Sequence, residues 1–287
     1  MRILLWSFVA IPVMALLLLA NHYAPFQPPV TMTYAGIGLA LVGLVSICRP
    51  LKLLRIRGRR AALLLLVAGL ATLAAGLIWP APMIRSPRAH RRIDDFVPEY
   101  QFYEFHQATV HAPPDRVLRA ARQIRPSDIP AALVLMRIRA MAAGRFHSSP
   151  VGSRSTPDLS PPPKSRFLML DASDPREIVG GMVGKPWTNE RPPRVATPGE
   201  FMLFRAPGQI KVAFNIAVSE VDSGRTRLTT ETRIVATDEP ARRVFGCYWR
   251  VIYPGSAIIR RAWLDAIVTL AESPGFERSD SWDGRRR

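Results

Sequence analysis

The stretch IKVAFNIAVSEVDSGRTRLTTETRIVA, residues 210–236, predicts the β-hairpin that decides the fold of the C-terminal half of the chain. Bulky side chains alternate along its first arm and less charged side chains alternate along its second, which is typical of strands with one buried face. A three-residue loop, Asp222–Gly224, pairs these faces: Val218 with Leu228, Ile216 with Thr230, and Phe214 with Thr232. A two-residue turn at Ser223-Gly224 sets Phe214 opposite Arg233 instead, so the apolar match favours the three-residue loop.

The face that this register turns inward is apolar but carries threonine hydroxyls, which need hydrogen-bond partners when they are buried. That composition suits a lined cavity at least as well as a dry core. We therefore predict that six hairpin residues and one tryptophan of the last helix line a ligand-binding cavity: Phe214, Ile216, Val218, Leu228, Thr230, Thr232 and Trp263. For Trp263, packing in a closed core is the alternative.

The chain from residue 100 onward predicts an α+β domain. Residues 100–111 are rich in aromatic and β-branched side chains and are typical of a strand, and Pro113-Pro114 favours the start of a helix. The further elements expected are a helix at 127–141, strands at 166–171, 176–183 and 200–206, and a final helix that begins near Ser256 after the Pro254-Gly255 break. Residues 144–165 hold eleven Pro or Ser in 22 positions, which indicates a loop or disordered insert.

Two segments resemble the START-like superfamily (SRPBCC, the helix-grip fold). YEFHQATVHAPPDRVLRAAR, residues 103–122, is similar to the family's first strand and the helix that follows it, and GSAIIRRAWLDAIVTLAE, residues 255–272, resembles its gripping helix. The resemblance covers residues 100–272 and includes no catalytic motif. It implies a curved antiparallel sheet wrapped on a long C-terminal helix around a hydrophobic cavity, in a family that binds lipids, sterols, polyketides or other apolar molecules.

The first third of the chain predicts an all-α membrane region. Residues 3–20, 30–48 and 61–79 contain no charged side chain over 18, 19 and 19 positions. At about 1.5 Å per residue these runs approach the hydrocarbon thickness of a bilayer. Cleavage of the first run as a signal peptide is the alternative for that segment. We expect a membrane region at 1–84, a linker at 85–99, the START-like domain at 100–275 and a basic tail at 276–287.

Positive charge near the membrane ends predicts the orientation of the chain. Seven basic residues, Arg2 and six within 49–60, lie on one side of the predicted spans, and four, between Arg85 and Arg92, lie on the other. The positive-inside rule then places the N-terminus in the cytoplasm and the C-terminal domain on the outer side of a cell membrane. Cys48 and Cys247 fall on opposite sides and cannot form a disulfide in this arrangement.

Small residues in the apolar runs indicate close helix packing. Gly36, Ala40 and Gly43 mark the second run, and Ala68, Thr72 and Gly76 mark the third. Packing of these helices within one chain is the first explanation, and a homo-oligomer formed through the same stripes is the second.

The basic composition does not by itself indicate nucleic-acid binding. The net charge is +17, but Arg outnumbers Lys 35 to 4 and the basic residues of the second half are mixed with acids, without an aromatic-interleaved basic stripe. We therefore expect no nucleic-acid partner and attribute the charge to contact with anionic lipid headgroups.

Polar residues offer few candidates for chemistry. Glu104 and His106 share one face of the first strand as an acid–base pair, although a solvated strand face is the default, and His111 lies on the other face. The acidic residues Asp171, Asp174 and Glu177 are typical of a hairpin turn, and the glycines Gly180, Gly181 and Gly184 lack the context of a nucleotide loop. Glu220 and Glu231 are expected on opposite faces, with Glu220 at the cavity rim. No metal or cofactor is expected.

These observations favour a membrane-anchored binding or carrier domain for a hydrophobic small molecule or lipid. One alternative is a cyclase- or hydratase-like enzyme that uses Glu104, His106 or Glu220 as acid or base. The other is a sensory or interaction module whose cavity is filled by its own side chains.

Overall fold

A computed structural model describes residues 27–48, 58–85, 90–124, 128–142, 167–188 and 190–276. The predicted span at 3–20, the insert at 144–165 and the tail beyond Phe276 lie outside these residues. The chain divides into two compact units. The first comprises residues up to Ala81 together with Arg243–Pro254, and the second comprises Pro82–Arg242 and the residues from Gly255 onward.

The described residues form both helices and strands. The helices are α1 (Pro28–Cys48), α2 (Arg59–Leu77), α3 (Pro114–Gln123), α4 (Pro130–Ala142), α5 (Pro198–Leu203) and α6 (Glu239–Glu272), with a 3-10 helix at Arg92–Asp95. The strands are β1 (Ile84–Arg85), β2 (Glu99–Tyr100), β3 (Phe102–Val110), β4 (Leu168–Asp171), β5 (Glu177–Gly184), β6 (Ile210–Asp222) and β7 (Arg225–Ala236). The domain is therefore α+β, as the sequence predicts.

Helices α1 and α2 belong to the first unit and have the length and composition of membrane spans. They contain 21 and 19 residues, and only 28% and 17% of their most apolar stretches are buried. The core helix of a water-soluble protein is mostly buried, whereas these two helices leave leucines such as Leu41, Leu44 and Leu64 exposed. Such a surface matches a hydrocarbon environment better than water.

Small residues bring the backbones of α1 and α2 into direct contact. A methyl group at any of four glycines would overlap the facing backbone: Gly36 against Leu73, Gly43 against Leu66, Gly69 against Ala40, and Gly76 against Thr33. The stripe predicted on the second of these helices is partly wrong, because Ala68 is exposed and Gly69 takes its place. The buried stripe of α2 repeats every seven residues, from Ala62 through Gly69 to Gly76. Packing within one chain accounts for it, and the homo-oligomer stays a prediction.

Helix α6 begins 17 residues before its predicted start near Ser256 and runs without interruption through Pro254-Gly255. Asp238 caps its N-terminus by accepting a hydrogen bond from the backbone N–H of Ala241 at 2.8 Å, and Pro240 suits the first turn. Pro254 removes one backbone donor, yet the helix continues past it. The prediction of a break was therefore wrong.

Residues 243–254 of α6 pack in the first unit through specific hydrogen bonds. The guanidinium of Arg250 donates to the carbonyl of Leu77 at 2.7 Å and to that of Trp79. The hydroxyl of Tyr34 donates to the carbonyl of Val251 at 2.6 Å. Carbonyls at the end of a helix have no partner within the helix, so Arg250 supplies donors at the C-terminal end of α2. Cys48 and Cys247 are free thiols.

The second unit is built on a five-stranded antiparallel sheet of order β3-β7-β6-β5-β4. The register predicted for its central hairpin is confirmed, since Phe214 pairs with Thr232, Ile216 with Thr230 and Val218 with Leu228. The predicted loop is wrong in detail, because Asp222 pairs with Arg225 and the chain turns over Ser223 and Gly224 alone. A register shift between Glu220 and Asp222 reconciles this tighter turn with the predicted pairing. Gly224 has a φ of +90°, which suits glycine.

The second face of the sheet is also buried, which the sequence did not indicate. The described part of the predicted linker at 85–99 instead contains the 3-10 helix and parts of two short strands, and its Ile93 and Val97 lie in a core cluster with Val179, Ala213 and Phe201. The prediction of a strand at 200–206 is also wrong, because residues Pro198–Leu203 form helix α5. Thr197 caps it by accepting from the Glu200 backbone N–H at 3.1 Å, a signal present in the sequence.

Candidate functional site between the sheet and helix α6

The seven predicted lining residues lie together on the face of the sheet that packs on the C-terminal part of α6. All are buried, and five of them share one core cluster: Phe214, Ile216, Val218, Leu228 and Trp263. The Phe214 ring lies 6.3 Å from the Trp263 ring and 5.3 Å from the Phe167 ring, both in edge-on geometry. The interface thus brings these residues together, and their role as the lining of a ligand cavity stays a prediction.

The glycines of β5 have a packing role. A Cβ at Gly180 would overlap the Phe214 ring, and one at Gly181 would lie 2.6 Å from the Leu170 side chain and 2.9 Å from the Phe201 ring. Their small size therefore admits large side chains on each face of the strand. Neither glycine belongs to a nucleotide-binding loop, in agreement with the sequence analysis.

Glu104 and His106 enter the same interface from β3. They stand opposite Thr232 and Thr230 in the register, and their exposed fractions are only 1% and 4%. The default expectation of a solvated strand face was therefore wrong. Helix α6 accounts for the difference, because its Ser256 and Arg261 contact β3 directly and cover that edge of the sheet.

The carboxylate of Glu104 is held by two partners. Its Oε1 lies 2.9 Å from Nε2 of His106, and its Oε2 accepts a hydrogen bond from the Ser256 hydroxyl at 2.7 Å. Ser256 thus donates to the carboxylate and not to the histidine, so these three residues do not form the nucleophile–base pair of a serine hydrolase. What the arrangement provides is a buried acid–base pair with a fixed orientation.

Arg260 lies one helical turn after Ser256 and completes the cluster. Its side chain is 8% exposed, and its guanidinium carbon lies 5.1 Å from the centre of the Phe214 ring and 5.3 Å from that of the Trp263 ring. The nitrogen Nη1 is buried with no hydrogen-bond partner. Burial lowers the pKa of Arg260, and the charge of Glu104 opposes that effect only in part.

Sequence reasoning missed Arg260 as a site residue. Ile259, Trp263 and Ile267 form a buried apolar stripe on the final helix, and a helical residue next to such a stripe is normally half-exposed. The spacing of four between Ser256 and Arg260 places both on one face of the helix. That spacing was visible in the sequence, whereas the strand facing it was not.

The remaining acidic candidates have structural roles. Glu177 is buried and accepts hydrogen bonds from the backbone N–H groups of Arg92 and Ile93 and from Asn215. Asp171 accepts from Arg92 at 2.7 Å, and Asp174 accepts from the Arg176 backbone at 2.7 Å. In the described part of the chain, no group of three or more His, Cys, Asp or Glu could hold a metal ion.

The other histidine and glutamates lie away from the cluster. His111 is exposed and contacts Glu272 at 3.2 Å. Glu220 is exposed near the hairpin turn, while Glu231 is buried on the opposite face and bonded to Arg233 at 2.7 Å. The two glutamates thus lie on opposite faces as predicted, and neither contacts Glu104 or His106.

The described residues have an α+β architecture. An antiparallel sheet with a long C-terminal helix stands in the same chain as two apolar helices. No family model and no curated protein matches the sequence. Among solved structures, the chain is similar to the hypothetical protein jhp0584 from Helicobacter pylori, with 13% identity and a TM-score of 0.33. The alignment covers 66% of this chain and 99% of that one. A similarity this distant indicates no function.

Proposed function

We propose that this protein is a membrane-anchored START-like domain that binds a hydrophobic molecule between its sheet and the C-terminal part of α6. The antiparallel sheet and the long final helix support the family assignment, because they are the two parts that the resemblance requires. Helices α1 and α2 support the anchor through their length and exposed apolar surfaces.

One observation carries the binding proposal. The apolar interface between sheet and helix contains polar side chains from three elements: Glu104 and His106 of β3, Thr230 and Thr232 of β7, and Ser256 and Arg260 of α6. Placing so many polar groups in a closed core is costly, and apolar substitutes of similar volume are often at least as stable. An apolar surface with a few oriented polar groups is instead the composition of a ligand site.

The basic residues support one orientation of the membrane part. We place the N-terminus in the cytoplasm and the binding domain on the outer side, because the seven basic residues gather on one side of the predicted spans. A hydrophobic ligand then enters the domain from, or leaves it to, the adjacent membrane.

Photolabelling of the full chain in phosphatidylcholine nanodiscs tests the proposal. The probe is hexadecanol with a diazirine in the middle of its chain, and mass spectrometry maps its attachment sites. We expect labelled peptides from β6, β7 and residues 256–267, in addition to background in the apolar helices.

A matched pair of variants controls that experiment. Ile216→Trp fills the interface and should lower labelling of the domain, whereas Val221→Trp adds the same ring at an exposed position on the same strand. Labelling confined to α1 and α2 in the wild-type chain would refute the binding proposal. The packing of Phe214 against Gly180 and Trp263 would then favour the interaction module with a filled core.

A further inference from the structure

We infer that the ligand of this site carries an anionic group, a carboxylate on an apolar chain, which pairs with the guanidinium of Arg260. This inference rests on the proposed function, since it names the polar end of the molecule that the interface binds. The observations that carry it are the burial of Arg260, its unpartnered nitrogen and its aromatic surroundings.

The guanidinium of Arg260 lacks the partners that a buried cation normally has. Its Nη1 is buried without a hydrogen bond, and its neighbours at 5.1 and 5.3 Å are the faces of Phe214 and Trp263. Cation–π contact offsets only part of the cost of removing an ion from water. A buried arginine is typically retained with a carboxylate or phosphate against its donor fork.

Glu104 does not fill this role. Its carboxylate oxygens contact His106 at 2.9 Å and Ser256 at 2.7 Å, and neither of them accepts a hydrogen bond from the buried Nη1 of Arg260. The cluster thus retains one cation with a buried donor nitrogen that has no acceptor.

Arg233, a buried arginine of the same domain, has hydrogen-bond acceptors for its guanidinium. Arg233 donates to Glu231 at 2.7 Å and to the Val97 carbonyl at 2.9 Å, and it also pairs with Asp94. Its Nε and Nη1 thus both have acceptors. Arg250 leaves a buried Nε without an acceptor, but its two Nη nitrogens donate to the carbonyls of Leu77 and Trp79. Arg260 is also buried and leaves Nη1 of the fork itself without an acceptor.

The chemistry of the surroundings selects the ligand class. A single guanidinium matches a single carboxylate, and two parallel N–H···O bonds give such a pair a defined geometry. The walls next to Arg260 are aromatic and aliphatic, which suits an extended apolar chain. A long-chain carboxylic acid meets both requirements.

The test compares two diazirine probes of equal chain length, hexadecanoic acid and hexadecanol, on the full chain in phosphatidylcholine nanodiscs. At about pH 9 the acid probe is ionised. We expect the acid to label the peptides around Phe214 and Trp263 about tenfold more than the alcohol in wild type. In Arg260→Met this preference should disappear while labelling by the alcohol persists.

Three further variants keep the result interpretable. Arg261→Met removes a neighbouring arginine that donates to the Gln107 carbonyl, and it should retain the preference for the acid. Arg260→Lys keeps the charge without the fork and should retain part of it. Glu104→Gln removes the opposing charge without touching Arg260 and should increase labelling by the acid, which keeps the inference testable if Arg260→Met does not fold.

The outcomes separate the two proposals. Equal labelling of the domain by acid and alcohol would overturn the inference and leave the binding function standing. A preference for the acid that survives in Arg260→Met, or that is unchanged in Glu104→Gln, would also overturn it. If neither probe labels the domain, the proposed function fails and the inference fails with it.

Discussion

Two buried arginines on opposite faces of one sheet illustrate how a residue's surroundings decide its role. Arg233 stacks over the Tyr100 ring at 5.0 Å and ties the segment around Val97 to the sheet through charged partners. Its hydrogen-bond network includes Asp94, Glu231 and Asn215. This network holds Asp94 against the sheet, in a region where the sequence predicts a linker. Such a satisfied network is structural. Arg260 has no acceptor on Nη1, and it is the residue on which our proposal of an anionic ligand rests.

Asp94→Asn is expected to destabilise the protein at neutral pH and to have much less effect in acid. Burial alone would raise the pKa of Asp94, but hydrogen bonds from the Arg91 backbone N–H and from Arg233 outweigh it and lower the pKa. A lowered carboxyl pKa contributes stability above its ordinary value of 3.8, and that stability is lost as pH falls through the folded-state pKa.

We expect Asp94→Asn to cost about 1–3 kcal/mol of unfolding free energy at pH 7. Chemical unfolding in detergent at pH 7 and at about pH 3 measures the difference. Asp265→Asn is the control, because that side chain is exposed and its contact with Arg261 is a surface ion pair of little energetic value. An Asp94→Asn penalty that is the same at both pH values would contradict the ionised pair with Arg233.

Lys211 gives a prediction in the alkaline range. Burial, with the nearby Arg205, lowers the pKa of Lys211 to about 8, and the ammonium lies against the Phe201 ring and donates to the Met202 carbonyl at 3.0 Å. The unfolded chain retains this proton up to 10.5, so stability rises with pH between 8 and 10.5.

The wild-type unfolding free energy should increase across that interval by on the order of 1 kcal/mol more than that of Lys211→Met. Lys185→Met removes a lysine that pairs at the surface with Glu190, and it serves as the control. Parallel pH profiles for wild type and Lys211→Met would contradict the assignment.

At the scale of elements, the pair α1 and α2 depends on backbone contact at glycine. Lipid tails are as apolar as the side chains of membrane helices, so these helices associate through close packing and not through the hydrophobic effect. A large side chain at the contact therefore weakens their association. Gly43 lies against the backbone of Leu66, whereas Gly38 of the same helix has open space at its Cβ position.

Gly43→Leu is therefore expected to disrupt the helix pair and Gly38→Leu to leave it intact. We expect the apparent melting temperature in detergent to fall by about 5 °C or more for Gly43→Leu. The loss of the peak of folded, detergent-solubilised protein on size-exclusion chromatography after heating measures the melting temperature. Equal melting of the two variants would show that the pairing does not rest on this contact.

At the scale of the whole molecule, the charge distribution yields a prediction of topology. Alkaline phosphatase, which is active only outside the cytoplasm, should be active when fused after Gly275 and inactive when fused at Gly58. The basis is the excess of basic residues within 49–60 and the absence of acidic residues before Asp94. Matched fusions to a reporter that is active only in the cytoplasm should give the opposite pattern.

An active phosphatase at Gly58 combined with an inactive one at Gly275 would place the C-terminal domain in the cytoplasm. The orientation would then be wrong, while the contacts of the domain around Arg260 would be unaffected. The topology test is in this way independent of the photolabelling experiments.

The sequence alone determined the features that depend on local periodicity and composition. Alternation of side chains set the pairing of Phe214 with Thr232, since a slip of one residue would exchange the two faces of the strand. Uncharged runs predicted the helices α1 and α2, and the pair Pro113-Pro114 predicted the start of α3. These signals involve neighbours in the chain, so no tertiary contact is needed to read them.

Only the tertiary structure decided what covers each face. The burial of Glu104 and His106 requires α6 to lie against the edge strand β3, and the burial of Ile93 requires the segment around it to pack on the sheet. The continuity of α6 through Pro254 is likewise a property of the folded chain, because a proline removes a backbone hydrogen bond and locally favours the end of a helix. Periodicity tells which side chains share a face, but the element that meets that face comes from elsewhere in the chain, and so the unpartnered donor of Arg260 appears only in the folded protein.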